Sequence, residues 1–205
     1  MKQAAKNKPH QARARVTVDA ILEATIRILE KEGLDAATTT RIAEVAGVSV
    51  GTLYHHFEDR SAIVNALQDR EFERALVLMQ DVLSNDNLGR APRETVEKVV
   101  RGLATLYTAA PGLHRVLAIE GLRVASADRV HAFDLRVIAI IRSFLSASRD
   151  QLRCDDLEAA SFVAYQSVRA TMLACLLERP AGLGIDTLVT QVVDLVVRYL
   201  VRDEP

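Results

Sequence analysis

The sequence predicts an all-α protein in which a small N-terminal three-helix domain is joined to a larger C-terminal helical bundle, about nine helices in total. Apolar residues recur at helical spacing through most of the 205 residues. Glycine and proline occur only 9 and 5 times, and they fall between the periodic segments, where helices end. No segment alternates apolar and polar residues over the length of a strand.

Four helices are predicted in the N-terminal part of the chain, each bounded by a residue that favours a helix end. Their predicted spans are about 16–32, 39–46, 50–57 and 60–83. Gly33 and Gly47 suit the left-handed position that follows a helix, because glycine adopts positive φ at little cost. Thr38 and Ser49 can cap the second and third helices through their hydroxyl groups.

Five further helices are predicted beyond a break at residues 84–89. Their spans are about 92–109, 111–121, 128–149, 155–178 and 185–201. The breaks between them fall at residues 111–112, 150 and 180–182, where proline, glycine or aspartate interrupts the apolar pattern.

Charge is unevenly distributed along the chain. The net charge is −1, but residues 1–15 hold five basic residues and no acid, which leaves 21 basic and 27 acidic residues elsewhere. This segment has too few apolar residues to fold alone, so we predict a basic flexible arm. It either solubilises the chain end or contacts nucleic acid. The predicted divisions are therefore the arm at 1–15, a domain at 16–60 and a larger domain at 61–205.

The cysteine content and the absence of a leader pattern favour a cytoplasmic protein. Cys154 and Cys175 are too few for a disulfide scaffold and suit a reducing compartment. Cys154, near a loop, is a candidate accessible thiol, whereas Cys175 is expected to be buried. No apolar stretch follows the basic N-terminus, and no uncharged apolar span of about 18 residues is present to cross a membrane.

The segment 38–57 has the features of a helix-turn-helix motif. Ala43 lies four residues before Gly47, and its small side chain lets two helices cross closely. Gly47 turns the chain out of the second helix, and Ser49 starts the third. The apolar residues Ile42, Val45, Val48, Leu53 and Phe57 are predicted to pack together against the first helix.

The remaining side chains of the third predicted helix point outward. They are Val50, Gly51, Thr52, Tyr54, His55 and His56. Small residues at its start allow close approach to DNA, and hydroxyl and imidazole groups can hydrogen-bond to phosphates and base edges. The order of these residues therefore predicts a DNA-recognition helix.

Residues 42–49, followed by 52–57, resemble the DNA-binding domain of the TetR family of bacterial transcriptional regulators. The resemblance covers residues 14–65 closely and the rest only in outline. It implies a homodimer whose third helices enter successive major grooves of a palindromic operator, with an effector cavity in the C-terminal half. We expect a repressor that its ligand releases from DNA, and activation or ligand-promoted binding is also compatible with the sequence. It assigns phosphate contacts to Thr39, Ser49, Thr52, Tyr54 and His56, base contacts to Val50, Gly51 and His55, and a backbone contact to Arg60.

One property departs from a DNA-binding composition. Residues 16–60 hold four basic residues against eight acids, a weak electrostatic match to a polyanion. If the segment binds DNA, the basic arm at 1–15 must supply much of the counterion release.

The last two predicted helices, 155–178 and 185–201, are candidates for a dimer interface. The last helix carries two apolar stripes, one containing Leu188 and Leu195 and the other containing Val189 and Val193, so both faces need covering. The preceding helix is rich in alanine, which allows close packing. Two-fold pairing of these helices would supply the second recognition helix that one chain lacks. A helix buried centrally in a monomer is the alternative.

The C-terminal bundle can enclose an apolar cavity with a few polar anchors. The side chains that could line it lie between the fourth and eighth helices, at Phe72, Met79, Leu103, Tyr107, His114, Phe133, Phe162, Tyr165 and Gln166. Tyr107, His114 and Gln166 are the expected polar anchors. The scarcity of charges among them favours a small apolar or amphipathic effector, and the same residues can equally form a plain core.

The sequence does not favour an enzyme. A glycine-rich phosphate loop, a His-Glu-x-x-His motif, a Cys-x-x-Cys pair and a nucleophile elbow are all missing, and no cofactor or metal is implied. A second interpretation keeps DNA binding and drops the ligand: a chromosome-associated helix-turn-helix protein. A filled core and scattered genomic sites would favour that alternative.

Overall fold

The computed structural model describes residues 8–84, 91–123, 127–178 and 181–202, with side chains from residue 12 onward. These residues form nine α-helices and one 3-10 turn, and within them no strand occurs beyond an isolated bridge between Leu152 and Val201. The helices are α1 (Lys8–Lys31), α2 (Thr39–Ala46), α3 (Val50–His56), α4 (Arg60–Val82), α5 (Pro92–Ala109), α6 (Pro111–Gly121), α7 (Ala127–Ala147), α8 (Leu157–Glu178) and α9 (Ile185–Leu200). The all-α prediction is confirmed.

The chain forms two compact units, Met1–Arg70 and Glu71–Pro205. The boundary falls inside α4, ten residues after the predicted division at residue 60. Residues 85–89 of the predicted break at 84–89, and residue 180 of the predicted break at 180–182, lie outside the described residues.

The first unit is built on fully buried aliphatic side chains from three helices. α1 packs against α2, and α2 packs against α3. Ile21 and Ile28 of α1, Ile42 of α2 and Leu53 of α3 are at most 1% exposed. Ala43 is also buried, as expected where two helices cross closely. Burying each large aliphatic side chain contributes about 1.5–3 kcal/mol, so these contacts hold the short helices in place.

Several predicted core residues of this unit are less buried than expected. Phe57 is buried, but Val45 and Val48 are only half-buried. They flank Gly47, where the chain leaves α2 and turns toward α3, so fewer neighbours surround them.

The first helix begins at Lys8, eight residues before the predicted start. Residues 11–15 read Gln-Ala-Arg-Ala-Arg and have high helix propensity, so they extend a helix that is already anchored by Ile21 and Leu22. Pro9 lies in the first turn, where its missing N–H costs nothing. Of the predicted arm, only residues 1–7 precede α1, and they lie outside the described residues.

The turn between α2 and α3 has the predicted geometry. Gly47 adopts φ 70°, and its N–H donates to the Ala43 and Glu44 carbonyls at the end of α2. The Thr38 hydroxyl accepts from the Arg41 N–H at 3.2 Å, and the Ser49 hydroxyl accepts from the Thr52 N–H at 3.0 Å. Each cap satisfies a backbone donor that has no partner inside its helix.

The second unit is a bundle centred on α5, α8 and α9. α5 packs against α9, α8 against α7, and α9 against α8. Val100 of α5, Met172 of α8, and Val189 and Val193 of α9 form one buried cluster. A second cluster joins Leu145, Leu152, Ala160, Ala164, Val196 and Leu200. The small side chains of Ala160 and Ala164 allow α8 to approach α9 closely.

The end of α9 is fastened to the loop that precedes α8. The Arg153 N–H donates to the Leu200 carbonyl, and the Arg202 N–H donates to the Gln151 carbonyl, both at 3.0 Å. The Cys154 thiol donates to the Tyr199 carbonyl at 3.1 Å. We call this group of three bonds the C-terminal clasp. Cys175, predicted to be buried, is only partly so.

α8 begins two residues later than predicted because Asp156 caps it. The Asp156 carboxylate accepts from the Glu158 and Ala159 N–H groups, each at 3.0 Å, so the helical residues start after it. By length and composition α8 is apolar enough to span a bilayer, with a mean hydropathy of 1.3. It packs against α6, α7 and α9, so an apolar surface is also what its place in the bundle requires.

Replacing Gly47 with alanine isolates the cost of the left-handed turn, because an added Cβ meets nothing within 4 Å. We expect Gly47→Ala to lower the free energy of unfolding by about 1–2 kcal/mol. Gly51→Ala is the matched control, since Gly51 has no positive φ and its added Cβ would lie 3.8 Å from the Ser49 hydroxyl. Urea unfolding of both variants measures the difference, and equal stabilities would contradict this account of the turn.

Candidate functional site

α3 presents a polar, sterically open face to solvent. Leu53 is fully buried, whereas Val50 is 38% and Tyr54 is 52% exposed. Gly51 and His55 are exposed, and Thr52 and His56 are half-buried. All the predicted outward residues of this helix therefore lie on the side away from Leu53 or at its edges. The rings of His55 and His56 meet edge to face, with centroids 5.2 Å apart.

The four hydroxyl groups predicted to contact phosphates form two hydrogen-bonded pairs. Thr39 Oγ1 of α2 lies 3.1 Å from the Tyr54 hydroxyl of α3, and Ser49 Oγ lies 2.8 Å from Thr52 Oγ1. In a hydroxyl pair one proton is used within the pair, so the other hydroxyl can still donate to an external acceptor. Each pair thus holds one donor in place for an anionic oxygen.

The predicted backbone contact Arg60 begins α4. Its Nη1 donates to the Leu34 carbonyl at 3.3 Å, in the loop between α1 and α2. Arg27 of α1 likewise donates to the Val45 carbonyl at 3.3 Å. Both side chains are exposed, and in each bond the guanidinium group donates to an uncharged backbone carbonyl.

Arg41 of α2 is neutralised within the first unit. Its guanidinium contacts Glu44 at 3.1 Å and Glu32 at 3.2 Å. The hydrogen bond with Glu44, followed by that with Glu32, raises the pKa of Arg41. One of the four basic residues of 16–60 therefore already has two carboxylate partners. This makes the segment an even weaker electrostatic match to DNA than its composition indicates.

Most of the residues predicted to line an effector cavity lie together in the second unit. Met79, Leu103, Phe133 and Tyr165 belong to one apolar cluster contributed by α4, α5, α7 and α8. Phe72 stacks on Phe133, with ring centroids 4.1 Å apart and planes 9° from parallel. The Tyr107 and His114 rings meet edge to face at 5.1 Å.

Phe162 and Gln166 are not brought into this group. Phe162 is 52% exposed, and Gln166, one turn later on the same side of α8, is half-buried. The buried arc of α8 runs through Ala160, Ser161, Ala164, Tyr165 and Met172. Because α8 is apolar on nearly every side, periodicity alone did not show which arc faces inward.

The sequence analysis missed buried charges beside this group. Glu71 of α4 is 8% exposed, and its Oε1 accepts from Arg74 at 2.9 Å. Its Oε2 lies 3.8 Å from Nε2 of the buried His114. A detectable signal was present, because Glu71 occurs one turn before Ala75 and two turns before Met79, on the buried stripe of α4.

A second carboxylate, the partly buried Asp134 of α7, lies among the same helices. It accepts a hydrogen bond from the Tyr165 hydroxyl, and its Oδ1 lies 3.6 Å from Nε of Arg169. Burial raises the pKa of Tyr165 and of Tyr107, so both hydroxyls keep their protons. We call Glu71, Tyr107, His114, Asp134, Tyr165 and Arg169 the interior polar cluster.

The outer face formed by α8 and α9 carries an open groove of about 630 Å³. Its lining residues are Val163, Ala164, Ser167, Gln191, Asp194, Leu195, Val196, Arg198 and Tyr199. Leu195 is 54% and Val163 is 40% exposed, whereas Val192 of α9 is buried. This groove contains none of the predicted effector-binding residues.

Two helices, α2 and α3, are joined by a tight turn at Gly47, and α3 exposes its outer face and hydroxyl groups that are paired by hydrogen bonds. This arrangement places the chain among helix-turn-helix DNA-binding proteins. Residues 21–67 match the family model of bacterial regulatory proteins of the tetR family, and residues 92–200 match the tetracyclin repressor-like C-terminal domain. The chain belongs to the TetR family of DNA-binding transcriptional regulators, whose members are not enzymes.

Curated relatives extend the similarity over different lengths. The HTH-type transcriptional regulator SAR0097 of Staphylococcus aureus is 32% identical over 68 residues, which are 32% of this chain and 36% of that protein. The HTH-type transcriptional repressor KstR of Rhodococcus jostii is 26% identical over 160 residues, which are 74% of this chain and 73% of that protein. The chain thus spans about a third of the first relative and most of the second.

Solved structures share the fold. NalD of Pseudomonas aeruginosa, the secondary repressor of the MexAB-OprM multidrug efflux pump, matches with a TM-score of 0.70 and 21% identity, over 92% of this chain and 98% of that one. A complex of SmeT with triclosan matches with a TM-score of 0.74 and 17% identity, over 91% and 92% of the two chains. SmeT represses the SmeDEF efflux pump of Stenotrophomonas maltophilia.

The Thr39–Tyr54 pair can be tested with a double-mutant cycle. We expect Tyr54→Phe to weaken binding to duplex DNA about 10-fold or more, because a hydrogen bond to a charged oxygen contributes about 1.5–3 kcal/mol. Thr39→Val should also weaken binding, and the double variant should lose less than the two effects combined. Fluorescence anisotropy with a labelled duplex measures all three. Thr105→Val, at an exposed hydroxyl of α5, is the control, and fully additive losses would contradict a paired role.

Proposed function

We propose that this protein is a ligand-responsive transcriptional repressor that binds a palindromic operator as a homodimer in the bacterial cytoplasm. The observation that carries the proposal is the outward face of α3. Val50, Gly51, Tyr54 and His55 are exposed on this face, whereas Leu53 on the opposite face is fully buried. Such a helix can enter the major groove with its outer side chains against the bases. KstR, NalD and SmeT are named as repressors, which supports repression as the outcome.

In this proposal the contacts divide into two kinds. Thr39, Ser49, Thr52, Tyr54 and His56 position the motif on the phosphates, and Arg60 reaches the backbone at the start of α4. Val50, Gly51 and His55 face the bases. Val50 offers an apolar contact to a thymine methyl group, and His55 can donate or accept at a base edge, so these two positions carry the sequence preference.

A palindromic operator follows from the limited reach of one α3. The helix has seven residues and can read only a few base pairs, too few to compete with nonspecific genomic sites. Two copies related by a two-fold axis would place their α3 helices about 34–36 Å apart, one turn of B-DNA. Selection of bound sequences from random duplexes tests this directly, and recovery of a single unrepeated half-site would contradict it.

We assign the dimer interface to α8 and α9, within the predicted spans 155–178 and 185–201. Leu195 and Val163 are large apolar side chains left exposed beside the groove, and burial against a second copy would remove them from water. If two copies meet through this face about a two-fold axis, α8 and α9 of one copy pack against α8 and α9 of the other and form a four-helix arrangement.

The effector site is assigned to the second unit, around Phe72, Met79, Leu103, Tyr107, His114, Phe133 and Tyr165. Apolar side chains from four helices adjoin a small set of polar groups there, which is the usual composition of a small-molecule site. The triclosan complex of SmeT supports a small amphipathic ligand. A ligand that binds this region must change operator affinity by about 1–3 kcal/mol to act as a switch.

The dimer assignment predicts the effect of a charge on the α8–α9 face. We expect Leu195→Glu to convert the protein to a monomer, because the carboxylate would have to be desolvated in an apolar contact. Leu135→Glu is the matched control, since Leu135 of α7 is also 54% exposed. Light scattering after size-exclusion chromatography measures the mass of each variant. A dimeric Leu195→Glu protein, or two monomeric variants, would contradict the assignment.

The basic N-terminal segment predicts a salt dependence. Replacing Lys2, Lys6, Lys8, Arg13 and Arg15 with glutamine should weaken operator binding and reduce the slope of log K against log salt by up to about 4.5 for each chain of the dimer. Glutamine keeps the helix propensity of residues 8–15, so α1 is preserved. An unchanged slope would refute a role of these cations in DNA binding, and circular dichroism checks the helix content.

A further inference from the structure

The interior polar cluster concentrates buried and partly buried titratable groups that a helical bundle does not need for its stability. Glu71 and His114 are 8% and 6% exposed, and the Asp134 side chain is 16% exposed. Removing carboxylates from water is costly, and well-packed apolar residues in their place are often at least as stable. A cluster of ionisable groups in the interior of a bundle is therefore a candidate functional site.

We propose that this cluster binds the hydroxyl group of a neutral amphipathic effector, such as an alkylphenol. The proposal rests on the ligand-responsive function proposed above and names the chemistry of its ligand. The cluster would hold the polar end of the molecule, and the adjoining apolar residues would hold its body.

The charge balance of the cluster favours a neutral ligand. Glu71 has Arg74 as its cationic partner at 2.9 Å, and Asp134 has Arg169 at 3.6 Å. Each of the two carboxylates therefore has one guanidinium group as its counterion. A ligand carboxylate at this position would add a negative charge close to Glu71 and be repelled.

The geometry around Glu71 and His114 favours a hydroxyl group in particular. Glu71 Oε2 and His114 Nε2 are 3.8 Å apart, longer than a direct hydrogen bond. One oxygen atom can still lie within about 2.8 Å of both. A hydroxyl there donates to the Glu71 carboxylate and accepts from an Nε2–H of His114, whereas an ether oxygen can only accept.

The surroundings suit an aromatic or alkyl body. Phe72 directly follows Glu71 in the sequence and stacks on Phe133, which directly precedes Asp134. Phe133 also belongs to the apolar cluster that contains Met79 and Leu103. The polar cluster and the apolar residues are therefore contiguous, as an amphipathic ligand requires.

The test uses three probes that share one body and differ at the polar end: 4-hexylphenol, 4-hexylanisole and 4-hexylbenzoate. Isothermal titration calorimetry measures the affinity of each for the full-length protein. We expect the phenol to bind at least 10-fold tighter than the methyl ether, which cannot donate, and than the carboxylate, which adds a charge.

Two variants and two matched controls locate the effect. Glu71→Leu and His114→Phe should each weaken phenol binding at least 10-fold, and Glu71→Leu should leave anisole binding unchanged because an ether oxygen cannot donate to a carboxylate. Glu73→Leu and His131→Phe make the same changes at exposed positions of α4 and α7 and should leave all affinities unchanged. Thermal unfolding of each variant confirms that it folds, and the retained anisole affinity of Glu71→Leu confirms that the apolar region is intact.

Other results would overturn the inference. They are phenol binding no tighter than anisole, tighter binding of the benzoate, phenol binding insensitive to both Glu71→Leu and His114→Phe, and no binding of any probe. Operator affinity is measured separately with and without the phenol. Selective phenol binding that leaves operator affinity unchanged would support the site chemistry and contradict the ligand-responsive function.

Discussion

Each helix of this protein depends on burying an apolar stripe, because helices of this length have little stability in water on their own. The constraint is most severe for α3, which has seven residues. It is held by Leu53, by the Ser49 cap and by the glycine turn before it. These inner contacts fix the rotation of the helix about its axis, and the rotation determines which side chains point to solvent. The outer face of α3, which we propose for DNA contact, is therefore oriented by the buried Leu53 and by the turn and cap that precede the helix.

The sequence predicted the helices well because helix ends carry local chemical signals. Thr38, Gly47 and Ser49 each act through atoms within a few residues, so their effect can be deduced without a fold. The start of α1 was predicted too late because residues 8–15 have helical propensity but no apolar stripe. A helix anchored elsewhere can extend through such a segment, and periodicity does not detect it.

The sites were harder to predict because they depend on contacts between distant helices. Most of the predicted effector residues do meet, since apolar and aromatic residues on inner stripes tend to converge. The charged members, Glu71 and Asp134, were missed because a charged residue is ordinarily expected at the surface. Their positions make sense only once Arg74, Arg169, His114 and Tyr165 are seen around them. Phe162 was misplaced for the opposite reason, since α8 is apolar on its outer side as well.

The C-terminal clasp has a consequence for assembly. Its three hydrogen bonds tie the last residues of α9 to the loop before α8, so both helices keep a fixed register along the face that contains Leu195. A surface that is already ordered loses little conformational entropy when another molecule docks on it. More of the free energy gained by removing Leu195 and Val163 from water then contributes to the binding affinity. A modest contact area can therefore suffice for a long-lived complex.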